Sequence, residues 1–154
     1  MAKGSTYDSD ILKLLLNATG IPHIADDTAS AVTPPITSLS VSLHTADPGA
    51  SGTQDTSEVD YSAYARVLTT RSTVGWTVTA SDPATASPVS AITFAQVTSA
   101  GSSTTIVTHF AVGLGATTLG TSGKIYYKGT VTPNITLGQN VTPSLTTGSS
   151  ITED

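Results

Sequence analysis

Short apolar runs that alternate with polar residues, and that end at Pro or Gly turns, constrain this chain to β structure. Residues 39–44 and 105–114 show the alternation most clearly, and successive side chains of a strand point to opposite faces. Ser and Thr make up about a third of the 154 residues, and the β-branched residues Thr and Val fit the pleated surface of a sheet. Many short strands separated by turn signals are typical of a sandwich. We therefore predict an all-β fold, an antiparallel β-sandwich or jelly roll.

The N-terminal segment predicts a short helix. Asp8 or Ser9 can cap its start, apolar residues dominate positions 11–16, and Gly20 suits the left-handed position after its last turn. A helix of about two turns is marginal in water on its own. It must therefore dock against the chain's own sandwich or against a neighbouring subunit.

An extended arm is predicted to follow the helix. Pro22 and the pair Pro34-Pro35 exclude a regular helix and a central strand, because proline lacks a backbone N–H group. We predict that residues 1–36 form the helix and arm and that residues 37–154 form the sandwich domain. On this division, deletion of residues 1–36 would leave a folded β domain.

Composition and charge exclude several classes of function. Charged residues are only 11% of the chain, against about 25% in an average soluble domain, and the net charge is −5. Six basic residues against eleven acidic ones argue against direct binding to nucleic acid. Cysteine is absent, and no apolar run is long enough to span a membrane or resembles a secretory signal. We expect a soluble protein, made in the cytoplasm, that binds neither nucleic acid nor a membrane.

The sequence shows no pattern of a catalytic site. His23, His44 and His109 lie far apart in the sequence, and none has the spacing of a metal-binding motif. A G-x-S-x-G motif, which would present a nucleophilic serine on a strained turn, is absent. We predict that the chain is not an enzyme and that it has no catalytic, cofactor-binding or metal-binding residue.

Two acidic groupings leave other chemistry open. A carboxylate pair from residues 58 and 60, or from residues 26 and 27, could serve glycoside hydrolysis if a further acid lay at the right distance. The loop acids Asp47, Asp55, Glu58 and Asp60 could bind Ca²⁺, which prefers flexible oxygen ligands. Neither grouping has a fixed ligand spacing, so solvated loop acids are the interpretation that we favour.

One block of the sequence carries a resemblance to a known family. Residues 43–49 read LHTADPG, residues 52–54 read GTQ, and residues 58–67 read EVDYSAYARV. This string resembles a block in small structural proteins of tailed bacteriophages, which are often labelled tail-fibre proteins. The resemblance extends to THFAVG at 108–113, GKIYYKG at 123–129 and the segment 135–141.

The resemblance implies a component of the virion. Relatives with this organisation look like jelly-roll cement proteins, so we expect a head-decoration protein on the outer surface of the capsid, synthesised in the host cytoplasm. Its expected partners are the major capsid protein, whose subunits it would bridge, and further copies of itself in a dimer or trimer. The alternative is a tail-fibre or baseplate module that binds a host-surface glycan, since tyrosine clusters suit sugar platforms as well as protein interfaces.

Segments that project from a sandwich are the expected contact regions. The arm and the loop over residues 45–62 both qualify, because a long connection without regular structure is usually functional. The helix adds apolar side chains that could face a neighbour. The candidate interface residues are Ile11, Leu15, Pro22, Pro34, Pro35, His44, Asp47, Pro48, Tyr61, Tyr64 and Arg66.

Overall fold

A computed structural model describes residues 5–20, 36–99, 105–114 and 123–153 of the chain. Within these residues it has one helix and nine strands, and every strand pairing for which the register is known is antiparallel. The predicted all-β, antiparallel class with a short N-terminal helix is therefore confirmed. The elements are α1 (Ser5–Asn17), β1 (Ser38–His44), β2 (Val67–Thr70), β3 (Trp76–Thr79), β4 (Ala84–Pro88), β5 (Ile92–Thr93), β6 (Thr105–Leu114), β7 (Lys124–Leu137), β8 (Ser144–Leu145) and β9 (Ile151–Glu153).

The chain divides into two compact units, each built from separated stretches of sequence. The first unit comprises Met1–Ser38, Thr70–Ala91 and Thr146–Asp154, and the second comprises Leu39–Thr69 and Ile92–Leu145. The predicted boundary after residue 36 stays a prediction, because most of the arm lies outside the described residues. Pro22, Pro34 and Pro35 lie there too.

In the first unit, helix α1 covers a three-stranded sheet with the order β3-β4-β9. Leu12 and Leu16, one helical turn apart, are completely buried. The sheet contributes Trp76 from β3 and the small residues Ala84 and Ala86 from β4, which leave room for the helix. Of the two alternatives left open by the sequence, the structure therefore has α1 docked on a sheet of its own chain.

The end of α1 is fixed by an arginine that follows β2 in the sequence. The guanidinium of Arg71 donates hydrogen bonds to the carbonyl oxygens of Leu14, of Leu15 (2.6 Å) and of Ile36 (3.2 Å). Carbonyls of the last helical turn have no partner within the helix, and a positive charge is favourable there. The left-handed position after the helix belongs to Ala18, at φ 55°, so its assignment to Gly20 was wrong.

In the second unit, a four-stranded sheet has the order β2-β1-β6-β7, and β5 pairs with β8 in a separate two-stranded sheet. Strand β1 is central, and Leu39, Val41 and Leu43 are buried on one of its faces. Its opposite face carries Ser40, Ser42 and His44, which are buried as well. The prediction that this strand is only half-buried was wrong, and the reason is the loop that follows it.

Candidate functional site

The loop that follows β1 lies across the polar face of the four-stranded sheet. We call residues 45–58 the strap. Backbone hydrogen bonds join Thr45 to Ser57 (2.8 Å, N to O) at its ends and Gln54 to Gly123 (2.9 Å) at its middle. Isolated bridges pair residue 44 with 58 and residue 53 with 124. The strap is therefore held to the second unit at its ends and at its middle.

Gln54 attaches the middle of the strap to strand β1. Its side chain is completely buried; its Oε1 accepts a hydrogen bond from Ser40 Oγ (2.7 Å), and its Nε2 donates to the Ser40 carbonyl (3.0 Å). Nε2 also lies 3.4 Å from Ser42 Oγ. Gly113 on β6 makes room for this amide: a Cβ atom there would lie 2.2 Å from the Lys124 carbonyl oxygen and 3.1 Å from the Gln54 carboxamide carbon.

His44 joins the other end of the strap to the same face. Its Nδ1 lies 2.9 Å from the Thr56 carbonyl oxygen, and its Nε2 lies 2.9 Å from Ser42 Oγ. A carbonyl oxygen only accepts hydrogen bonds, so Nδ1 carries the proton and Nε2 accepts from the Ser42 hydroxyl. Burial lowers the pKa of His44, which favours this neutral imidazole.

A buried ion pair closes the strap. Glu58 accepts hydrogen bonds from Arg66 Nε (2.8 Å) and Nη2 (2.7 Å), and the two side chains are 1% and 0% exposed, respectively. Tyr64 Oη donates to the same carboxylate (2.9 Å) and accepts from the Leu43 backbone N–H (3.0 Å). The hydrogen bonds to Glu58 raise the pKa of Arg66, and burial raises the pKa of the Tyr64 phenol. This planar, two-bond geometry is specific to arginine.

Tyr61, Tyr64 and Phe94 form an aromatic column beside the ion pair. The two tyrosine rings meet edge to face at 5.2 Å, and Tyr64 stacks on Phe94 at 6.2 Å. Tyr61 Oη donates to the Ala95 carbonyl (2.8 Å), and burial raises the pKa of Tyr61 to about 12. Tyr64 is buried, so this tyrosine pair packs the second unit instead of forming an open platform.

Asp47 and Asp55 of the strap contact different partners and do not form one cluster. Asp47 pairs with Lys128 (2.5 Å) and accepts from the Gly49 N–H (2.8 Å), and the Lys128 hydrogen bond is the main cause of its lowered pKa. Asp55 accepts from the Thr53 hydroxyl, which lowers its pKa. Across residues 5–20, 36–99, 105–114 and 123–153, no group of three or more His, Cys, Asp or Glu side chains is arranged to hold a metal ion.

The structure brings most of the candidate interface residues into the strap and its surroundings. His44, Pro48, Tyr64 and Arg66 are buried there, whereas Asp47 is exposed and Tyr61 is partly exposed. Ile11 and Leu15 are partly buried on α1 in the first unit. A role of any of these residues at an interface stays a prediction.

Sequence reasoning missed the polar partners of the strap. Ser40 and Ser42 occupy the alternate positions of β1 that a half-buried strand turns to water, and Gln54 lies in an irregular loop. The sequence feature that could have pointed to these partners is the block that resembles the phage family, because Gln54, Glu58 and Arg66 all lie within it.

Comparison with known protein families gives one match. A family model described as "Podophage GP4 fiber I protein gp80" matches residues 20–152. The chain belongs to this family. The chain is therefore a phage structural protein. The matched range includes residues 43–67, which we call the family block and which contain the strap and both residues of the buried ion pair. No curated protein matches the chain. Helix α1, the one helix in the described residues, is too short to cross a membrane.

Proposed function

We propose that the chain is a non-enzymatic subunit of a virion appendage of the fibre type, which works by binding other virion proteins. The observation that carries the proposal is the family match over residues 20–152, together with the engagement of the family block in internal contacts. Buried, hydrogen-bonded polar groups make a loop rigid and specify one arrangement, as a load-transmitting subunit requires. Its partners are other tail proteins and further copies of this chain, and no nucleic acid or membrane is involved.

Head decoration is the second candidate. In the described residues each unit buries an apolar core within a single chain, which suits a subunit that folds first and then binds to a completed shell. In that case the partner is the major capsid protein, whose subunits it bridges on the outer surface. Many modest contacts, repeated over many copies, would then stabilise the shell by avidity.

Recognition of a host glycan is a further possibility for a fibre. The burial of Tyr64 removes the 61/64 pair as its platform, whereas Tyr126 and Tyr127 on β7 are partly exposed. A glycan would therefore be expected at β7 if the appendage binds one, and substitution of Tyr126 with Ala would weaken its adsorption to host cells.

Counting copies in purified virions separates the two candidates. Quantitative mass spectrometry would give the ratio of this chain to the major capsid protein, and gold-labelled antibody would show its position by electron microscopy. The fibre proposal predicts few copies, labelled at one vertex. A ratio near one, with label over the whole head, would favour decoration, and absence from purified virions would refute both.

A further inference from the structure

A one-way series of buried hydrogen bonds runs from strand β1 through the strap. The Ser40 hydroxyl donates to Gln54 Oε1 (2.7 Å), and Gln54 Nε2 points at Ser42 Oγ (3.4 Å). The Ser42 hydroxyl donates to His44 Nε2 (2.9 Å), and His44 Nδ1 donates to the Thr56 carbonyl (2.9 Å). Each hydroxyl has one proton to donate, so the direction at His44 decides the direction at Ser42.

A proton added to His44 conflicts with this series. The imidazolium donates from both nitrogens, so Nε2 no longer accepts the hydrogen bond of Ser42. Ser42 Oγ then faces two donors, from His44 and Gln54, and its own proton loses its acceptor. An unsatisfied polar group and an added charge are both costly in a site from which water is excluded, and His44 is 0% exposed.

The charges around His44 do not offset this cost. Glu58, its bridge partner at the end of the strap, favours the imidazolium, but its carboxylate is held by Arg66. Arg66, which precedes β2, disfavours a second positive charge, and so does His109, whose Cα pairs with that of His44 across β1 and β6. Burial is the largest influence, and it also opposes protonation.

We propose that His44 makes the strap an acid-sensitive latch: its imidazole holds residues 45–58 on the sheet when neutral and releases them when it takes up a proton. This device is independent of where on the virion the subunit lies. It would let an acidic environment loosen the surface of the second unit while the helix-covered sheet of the first unit stays intact.

The sign of the effect follows from linkage. The pKa of His44 in the closed strap is lower than the value of about 6.5 for a free imidazole, so the open strap binds the proton more tightly. The closed state is fully favoured above about pH 6.5 and becomes less so as pH falls towards the pKa of His44. Between those two values, the opening constant should rise about tenfold for each pH unit. The lowered pKa values of Asp47 and Asp55 place their titration below this window.

Hydrogen exchange on the full-length chain tests the latch. Exchange rates between pH 7.5 and 5, corrected for intrinsic rates, would be compared for the backbone amide of Gln54, which donates to Gly123. Its protection should fall by up to about tenfold per pH unit below about pH 6.5. Amides of the β3–β4 pair, in the first unit, serve as the internal reference. Unchanged protection of the strap across this range would overturn the proposal.

Two further measurements make the result specific to His44. His44→Gln should remove the pH dependence, whereas His109→Gln, a change at the partly exposed neighbour, should retain it. If His44→Gln fails to fold, imidazole ¹⁵N shifts of the wild-type chain decide the matter. They should show a proton on Nδ1 at neutral pH and a titration midpoint below that of free imidazole. A proton on Nε2, or a titration midpoint above that of free imidazole, would refute the latch.

Discussion

Substitution of Arg66 with Met should show how strongly the buried ion pair holds the strap. The variant removes the two charge-assisted hydrogen bonds to Glu58, at 2.7 and 2.8 Å, and leaves the carboxylate with the hydroxyl of Tyr64. Hydrogen bonds to charged groups contribute about 1.5–3 kcal/mol each, and breaking a buried pair costs about 3–5 kcal/mol. With a urea dependence of about 2 kcal/mol per molar, the unfolding midpoint should fall by about 2 M.

A double variant shows how much of the stability loss in Arg66→Met comes from the unpaired charge of Glu58 and how much from lost packing. Glu58→Gln combined with Arg66→Met leaves no buried charge, and the new amide can still accept from Tyr64. We expect its stability to return to within about 2 kcal/mol of the wild type. Lys128→Ala is the matched control, because its partner Asp47 is exposed, and its urea midpoint should stay close to that of the wild type.

Urea unfolding would be followed by far-UV circular dichroism and by fluorescence of Trp76, the single tryptophan, which lies in the first unit. If the units unfold separately, Arg66→Met should shift only the transition of the second unit. A wild-type midpoint for Arg66→Met would show that the ion pair with Glu58 does not stabilise the second unit. A double variant no more stable than Arg66→Met would show that the loss does not come from the unpaired charge of Glu58.

Four other substitutions test single contacts. Arg71→Lys should cost about 1–3 kcal/mol and increase hydrogen exchange in α1, because an ammonium group cannot satisfy three carbonyls in a planar fork. Leu16→Ala should cost about 2–5 kcal/mol and shift Trp76 fluorescence to the red, as the helix loosens from its sheet. Tyr61→Phe should cost about 1 kcal/mol at pH 8. In the wild type the pKa of Tyr61 is raised to about 12, so its neutral phenol stabilises the folded state fully below pH ~10. This stability is lost as pH rises through 12, and absorbance at 295 nm would follow the ionisation of the phenol. Gly113→Ala should prevent most of the protein from folding, because the new Cβ would lie 2.2 Å from the Lys124 carbonyl oxygen. A thermal melt of the variant should then show little or no cooperative unfolding transition.

Local patterns made the fold class predictable. Alternation in β1 and β6, with turn residues between strands, depends only on neighbouring positions and so can be read from sequence. The burial of Ser40 and Ser42 could not be read in this way, because it depends on a strap that folds back from residues further along the chain. A polar strand face looks the same in sequence whether water or a hydrogen-bonded loop covers it.

The division into two units could not be predicted from local sequence patterns either. The first unit joins α1 to β4 and β9 through contacts between residues far apart in the sequence, and no composition change marks its boundaries. Deletion of residues 1–36 was expected to leave a folded domain. The structure places Leu12 and Leu16 in the core of the first unit, so we now expect that deletion to uncover the β3-β4-β9 sheet.

A cryo-EM map of the whole virion, resolved at the side-chain level, tests the central claim most directly. The claim is that this family member is a subunit of a fibre-type appendage and that its family block forms the interior of the subunit. The predicted result is density for the chain at the tail vertex, with Glu58 and Arg66 paired inside one copy. Density spread over the capsid shell, or Glu58 and Arg66 contacting a neighbouring protein, would contradict it.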